Sequence, residues 1–98
     1  MLRISPPVHP GEILREEFLK PLGLAPYSLA KELGIPRTRL ERLARELNPV
    51  TPDTALRLSR YFRTSAEFWM NLQTAYDLTR AEAQSADQLA AISPREAA

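Results

Sequence analysis

The sequence predicts an all-α domain of five helices. Three observations point there. Apolar residues recur at spacings of three and four along most of the 98-residue chain. Prolines and glycines fall where helices would start and stop. No stretch alternates apolar and polar residues as a half-buried strand would. One compact domain is the expectation at this length, and 44% hydrophobic with 26% charged residues suits a globular chain. A core of this size gives modest stability, which dimerisation would raise.

Residues 1–8 read as an extended lead-in, because Pro6 and Pro7 resist helix. The first helix is expected from Pro10, with Glu12 near its positive end and Ile13, Leu14 and Phe18 as an apolar stripe. His9 either caps that helix or faces solvent. Pro21 and Gly23 end it. A second helix runs from about Pro26 to Leu33, with Leu29, Ala30 and Leu33 inward. Gly34 closes it in the left-handed conformation that glycine adopts at least cost. The third helix spans about 36–47. Thr51-Pro52-Asp53 starts the fourth, whose inner face carries Ala55, Leu58, Ser59 and Phe62. Thr64 and Glu67 have capping-box spacing for the fifth, which runs to about Ala83. The helical domain is thus 1–83. Residues 84–98 form an alanine-rich tail, partly disordered or weakly helical over 87–92.

The third helix is the unusual one. IPRTRLERLAR, residues 35–45, places arginines at 37, 39, 42 and 45 beside a single acid, Glu41. On a helical wheel Leu40, Leu43, Ala44 and Leu47 fall in one sector, which should be buried. Thr38, Arg42 and Arg45 lie opposite, flanked by Arg37 and Arg39. A solvated helix stitched by its own ion pairs would account for the charge: Arg37–Glu41, Glu41–Arg45 and Arg42–Glu46 are each four apart. The connection to the second helix favours another reading. Ala30 is small where two helices cross, Gly34 allows a tight turn, and Ile35, Leu40 and Leu43 are placed to hold the pair together. This is helix-turn-helix spacing over about 26–47. In that motif the second helix enters the DNA major groove. Arginines there bind guanine edges or phosphates. Tyr27 and Ser28, starting the second helix, are candidate phosphate contacts.

Charge is unevenly spread. The formal net charge is +1, yet residues 1–50 and 51–63 each carry a net +2 and residues 64–98 a net −3. The front of the molecule would attract an anion. Other chemistries lack their residues. There is no cysteine and one histidine, so a metal site would rest on scattered carboxylates. Ser28, Ser59 and Ser65 have no evident base, and no glycine-rich phosphate loop exists. No enzyme activity, metal or cofactor is expected. MLRISPPVHP holds no apolar run of signal-peptide length, and no stretch approaches a membrane span. Cytoplasmic location fits these features.

Four stretches, VHPGEILREEFLKPLGL, LAKELGIPRTRL, TPDTALRLSRYF and TSAEFWMNLQTAYDL, together resemble the HigA-type (VapI-like) antitoxins, in the lambda-repressor-like, XRE class of helix-turn-helix proteins. The resemblance covers about residues 8–80. Its most specific parts are the His-Pro-Gly-Glu start and the Glu-Phe-Trp-x-x-Leu-Gln segment. It implies a lambda-repressor-like fold and a homodimer that represses its own operon through a DNA palindrome. It also implies binding and neutralisation of a HigB-like toxin, an mRNA endonuclease. It puts Arg37, Thr38 and Arg39 at the front of the recognition helix. It places the dimer contact on the last helices, here Phe68, Trp69, Leu72 and Tyr76.

The chain departs from that family pattern at three places. Glu46-Leu47-Asn48-Pro49 replaces a Gly-Lys-Arg-like turn, Ala25-Pro26 replaces a capping serine, and Arg63 stands where glycine is common. Two alternatives follow beside the repressor and antitoxin. One is an interaction module without specific DNA binding, and the other a stand-alone XRE-type regulator.

Overall fold

The computed structural model describes residues 7–96, so most of the expected lead-in lies outside the described residues. Among them the chain is helical with no strand, in six helices rather than five. The first, α1 (10–22), is continuous but not uniform. Pro10–Ile13 is α-helical, Leu14–Leu19 widens to π-type bonding, and Lys20–Leu22 returns to α. The Lys20 N–H reaches back five residues to the Arg15 carbonyl. The wider turn sets Leu14 and Leu19, five apart, on one face, and both are buried. Helical spacing in the sequence carries no sign of it.

His9 caps α1. Its Nδ1 accepts the Gly11 N–H at 2.8 Å, and the ring is buried against Tyr76, 4.8 Å between centroids. Helices α2 (Pro26–Leu33) and α3 (Arg37–Ala44) follow, then α4 (Pro52–Phe62), α5 (Ala66–Gln84) and the short α6 (Ala86–Ala90). Thr51 caps α4 as expected, its hydroxyl accepting the Thr54 N–H. The cap of α5 is Ser65, which accepts the Phe68 N–H at 3.0 Å, and not Thr64. Thr64 instead accepts the Trp69 indole N–H at 2.8 Å. A buried indole needs that acceptor, so Thr64 is drawn inward and the next hydroxyl caps the helix. Of the tail, 86–90 is helical, packs on α5 and buries nothing.

The core is one cluster. Leu14, Leu29, Leu40, Leu43, Leu58 and Trp69 are fully buried, with Phe18 tilted between Phe62 and Trp69. Helix α2 packs on α3, α4 on α5, and α1 touches both α3 and α5. The other four longer helices therefore form a single scaffold under α3.

Candidate nucleic-acid interface

The α2–α3 pair has the geometry that its spacing implies. Gly34 adopts φ +69°, and Ile35 N–H bonds back to the Ala30 carbonyl at 3.1 Å. Ala30, Ile35, Leu40 and Leu43 are all buried at the crossing. The opposite side of α3 presents Arg37, Thr38, Arg42 and Arg45, all exposed. Tyr27 is exposed beside it and Ser28 partly so.

Leu47 does not join the buried sector. It is 52% exposed, because α3 stops at Ala44 instead of continuing to 47. Arg45 leaves helical geometry and Glu46 turns left-handed, φ +64°. Once the helix ends, its periodicity no longer places side chains. Glu46 occupies the position where a glycine would bear this φ at least cost.

The arginines divide into held and free. Arg37 pairs with Glu41 and stacks over Tyr27, 5.4 Å to the ring centroid. Arg42 donates to Asn48 Oδ1 at 3.1 Å, and Glu46 pairs with Arg15 at 3.2 Å, so the Arg42–Glu46 pair is not formed. Arg39 is half-buried and reaches sideways to Asp53 on α4, at 2.9 Å, in a pair that is itself at the surface. The Arg57 and Arg39 guanidiniums hold the Asp53 carboxyl below its ordinary pKa. Arg45 has no side-chain partner among the described residues.

Three residues that sequence reasoning passed over hold α3 in place. Arg15 on α1 donates to the Ala44 carbonyl at 2.6 Å, at the negative end of α3, while also pairing with Glu46. Gln73 on α5 is buried and accepts the Val50 N–H at 2.7 Å, fixing the chain after the turn. Gly11 lets α1 lie directly on the Leu43 backbone. Gly11 and Gln73 carried a signal, as parts of the His-Pro-Gly-Glu start and the Glu-Phe-Trp-x-x-Leu-Gln segment. Arg15 is a long-range partner with no local spacing to mark it.

Trp69 does not share a surface with the other proposed dimer residues. Phe68 is 39% exposed, and Leu72 and Tyr76 are half-buried. Trp69 is 0% exposed and belongs to the core, so it cannot be a direct partner contact. Adjacent helical positions diverge by about 100°, and the larger ring took the inner side. Among the described residues no group of His, Cys, Asp and Glu could hold a metal ion, and no helix is long and apolar enough to cross a membrane.

The Helix-turn-helix family model matches residues 16–69, more than half the chain. The sequence is 56% identical to virulence-associated protein I of Dichelobacter nodosus over 77 residues, 79% of this chain and 71% of that protein. The chain belongs to the helix-turn-helix family. Within it the likeness runs to HigA antitoxins and gives the lambda-repressor-like class its support. Antitoxin HigA-1 of Vibrio cholerae is 36% identical over 72 residues, 74% of this chain and 68% of that one. The solved structure of Pseudomonas aeruginosa antitoxin HigA with the higBA promoter superposes with a TM-score of 0.88 at 44% identity, covering 92% of this chain and 99% of that one. This helix-turn-helix chain therefore shares a HigA fold along nearly all of its length.

Proposed function

We propose that the protein is the antitoxin of a type II toxin–antitoxin pair and a repressor of its own operon. As a homodimer it lays α3 in the major groove of two half-sites about one DNA turn apart, roughly 34–36 Å. Thr38 and Arg42 face the groove centre, Arg37 and Arg39 lie near the helix start, and Arg45, Tyr27 and Ser28 meet phosphates. The partner protein is a HigB-like endonuclease toxin, neutralised by binding. The protein acts in the cytoplasm and catalyses no reaction.

One observation carries the DNA reading. The basic face of α3 is exposed on a helix-turn-helix pair whose relative in Pseudomonas aeruginosa was solved with its promoter. The test is a titration of labelled DNA from just upstream of the gene, beside a scrambled duplex, at several salt concentrations. Tight, selective binding that weakens steeply with salt is the expected result. Equal binding to both duplexes at every salt would overturn it. Co-purification of the neighbouring gene's product, with loss of its RNA cleavage, tests the toxin arm.

A second reading has an observation of its own. Glu46 adds an acid beside Arg45, and Arg42 is turned toward Asn48. The Glu46 carboxylate weakens the field at the expected phosphate track, and the Asn48 bond draws the Arg42 side chain to one side. They favour an interaction module that binds a toxin without selecting a DNA sequence.

A further inference from the structure

Arg39 does not stand alone on α3. Its Nη2 donates to Asp53 Oδ2 at 2.9 Å. The same carboxylate takes the Arg57 Nε–H on both oxygens at 3.1 Å, and Arg57 Nη1 donates to the Leu33 carbonyl at 2.7 Å. One chain of bonds thus runs from the end of α2, through α4, to the second residue past Arg37 on the recognition helix. Leu33 is the last residue of α2 before the Gly34 turn, so the chain's far end is fixed to the motif itself.

The donors of Arg39 can be counted. A guanidinium has five N–H bonds. Among the described residues Nε is buried and has no partner. One Nη2–H goes to Asp53. The two Nη1–H bonds and the second Nη2–H have no partner among the described residues either, which leaves enough for a base edge with two acceptors. In the major groove that edge is guanine O6 and N7. A free arginine would lose rotamer freedom on reaching it, whereas one already fixed by a carboxylate loses less. A single surface ion pair contributes little to stability, so little of the fold depends on this one.

We infer that Asp53 is a positioning residue for DNA specificity, holding Arg39 so that its free guanidinium N–H bonds meet one guanine of the operator. This deepens the repressor reading and rests on it. Asp53 touches no base in this scheme. It works through Arg39, and Arg57 in turn fixes Asp53.

The test uses the full-length protein and operator duplexes in which single guanines are replaced by 7-deazaguanine, which lacks the N7 acceptor. The guanine whose replacement weakens wild type but not Arg39→Ala is the Arg39 contact. For Asp53→Asn the expected result is a roughly ten-fold loss of selectivity for operator over scrambled duplex, within the range of one bidentate contact. The 7-deazaguanine penalty at that base should shrink as well, and Asp53→Glu should restore part of both. Scrambled-duplex binding should hold or tighten, since an acid is removed beside DNA. A purely structural role would instead lower both affinities together with thermal stability.

If Asp53→Asn folds poorly, Arg57→Gln loosens Asp53 without removing it and should shrink the penalty part-way, and an unchanged penalty in that variant would count against the inference. Asp53→Asn with unchanged selectivity and an unchanged penalty would overturn the inference, as would finding no guanine specific to Arg39. If wild type itself selects no duplex, the repressor reading fails first and takes this one with it.

Discussion

Gly11 lies so close to the backbone of Leu43 that a β-carbon on it would sit 1.9 Å from the Leu43 carbonyl oxygen. That oxygen belongs to the last turn of the recognition helix and cannot swing aside as a side chain would. Gly11→Ala must therefore push α1 and α3 apart. The expected cost is about 1–3 kcal/mol, the usual range for overpacking. Urea unfolding measures it. An undiminished midpoint would mean that the two helices separate freely. Operator affinity should fall as well, because Arg15 moves away with α1 and its bond to Ala44 breaks.

Arg63 ends α4 in the left-handed region at φ +59°. For a residue with a β-carbon this conformation costs about 1–2 kcal/mol. Glycine relieves it but gives back some in unfolded-state entropy. Arg63→Gly should raise stability by about 1 kcal/mol, read as a higher melting temperature. A lower melting temperature would mean that the Arg63 side chain holds something that outweighs its strain.

Part of this architecture is written in the sequence and part is not. Ala30, Gly34, Leu40 and Leu43 are legible because burial on a helix repeats with the helix. Leu47 continues the same pattern but is exposed, since periodicity does not say where a helix stops. That end depends on Arg15, which lies on another helix, and on the left-handed Glu46. Thr64 and Ser65 are equal as capping hydroxyls. Only the position of the Trp69 indole decides between them. A helical wheel places Arg39 by angle, but its actual direction is set by Asp53 on α4. Local spacing thus specifies the motif, while the exposed surface takes its detail from contacts distant in sequence.

His9 makes stability depend on pH. Its Nδ1 is the acceptor for the Gly11 N–H, so the cap needs a neutral ring. Burial pushes its pKa below the ordinary 6.5; Glu46 and Asp77 pull it up, while Arg80 and Arg15 add to the lowering. The unfolded chain therefore takes its proton at higher pH than the folded one. This contribution is fully present above about pH 6.5 and is lost as pH falls through the lower folded value. Melting temperature should hold above that pH and drop below it. His9→Asn keeps a capping acceptor without a titrating ring. An equal acid-side drop in both proteins would assign the effect to other groups.

Arg45 and Arg42 should fail in different ways on DNA. Arg45 is exposed at the end of α3, where we propose a phosphate contact, and has no side-chain partner among the described residues. Arg45→Ala should weaken operator and scrambled duplex alike and make the salt slope shallower by about 0.9 for each phosphate left without its arginine. Arg42 stands mid-helix, its Nε given to Asn48 and its two Nη groups uncommitted. If it reads a base, Arg42→Ala should cost about 1–3 kcal/mol on the operator alone and relax selectivity there. Salt titrations of both variants on both duplexes separate the two roles. A uniform loss for Arg42→Ala would make it a backbone contact. Unchanged operator binding would mean that the bond to Asn48 keeps it away from DNA, which Asn48→Ala should then reverse.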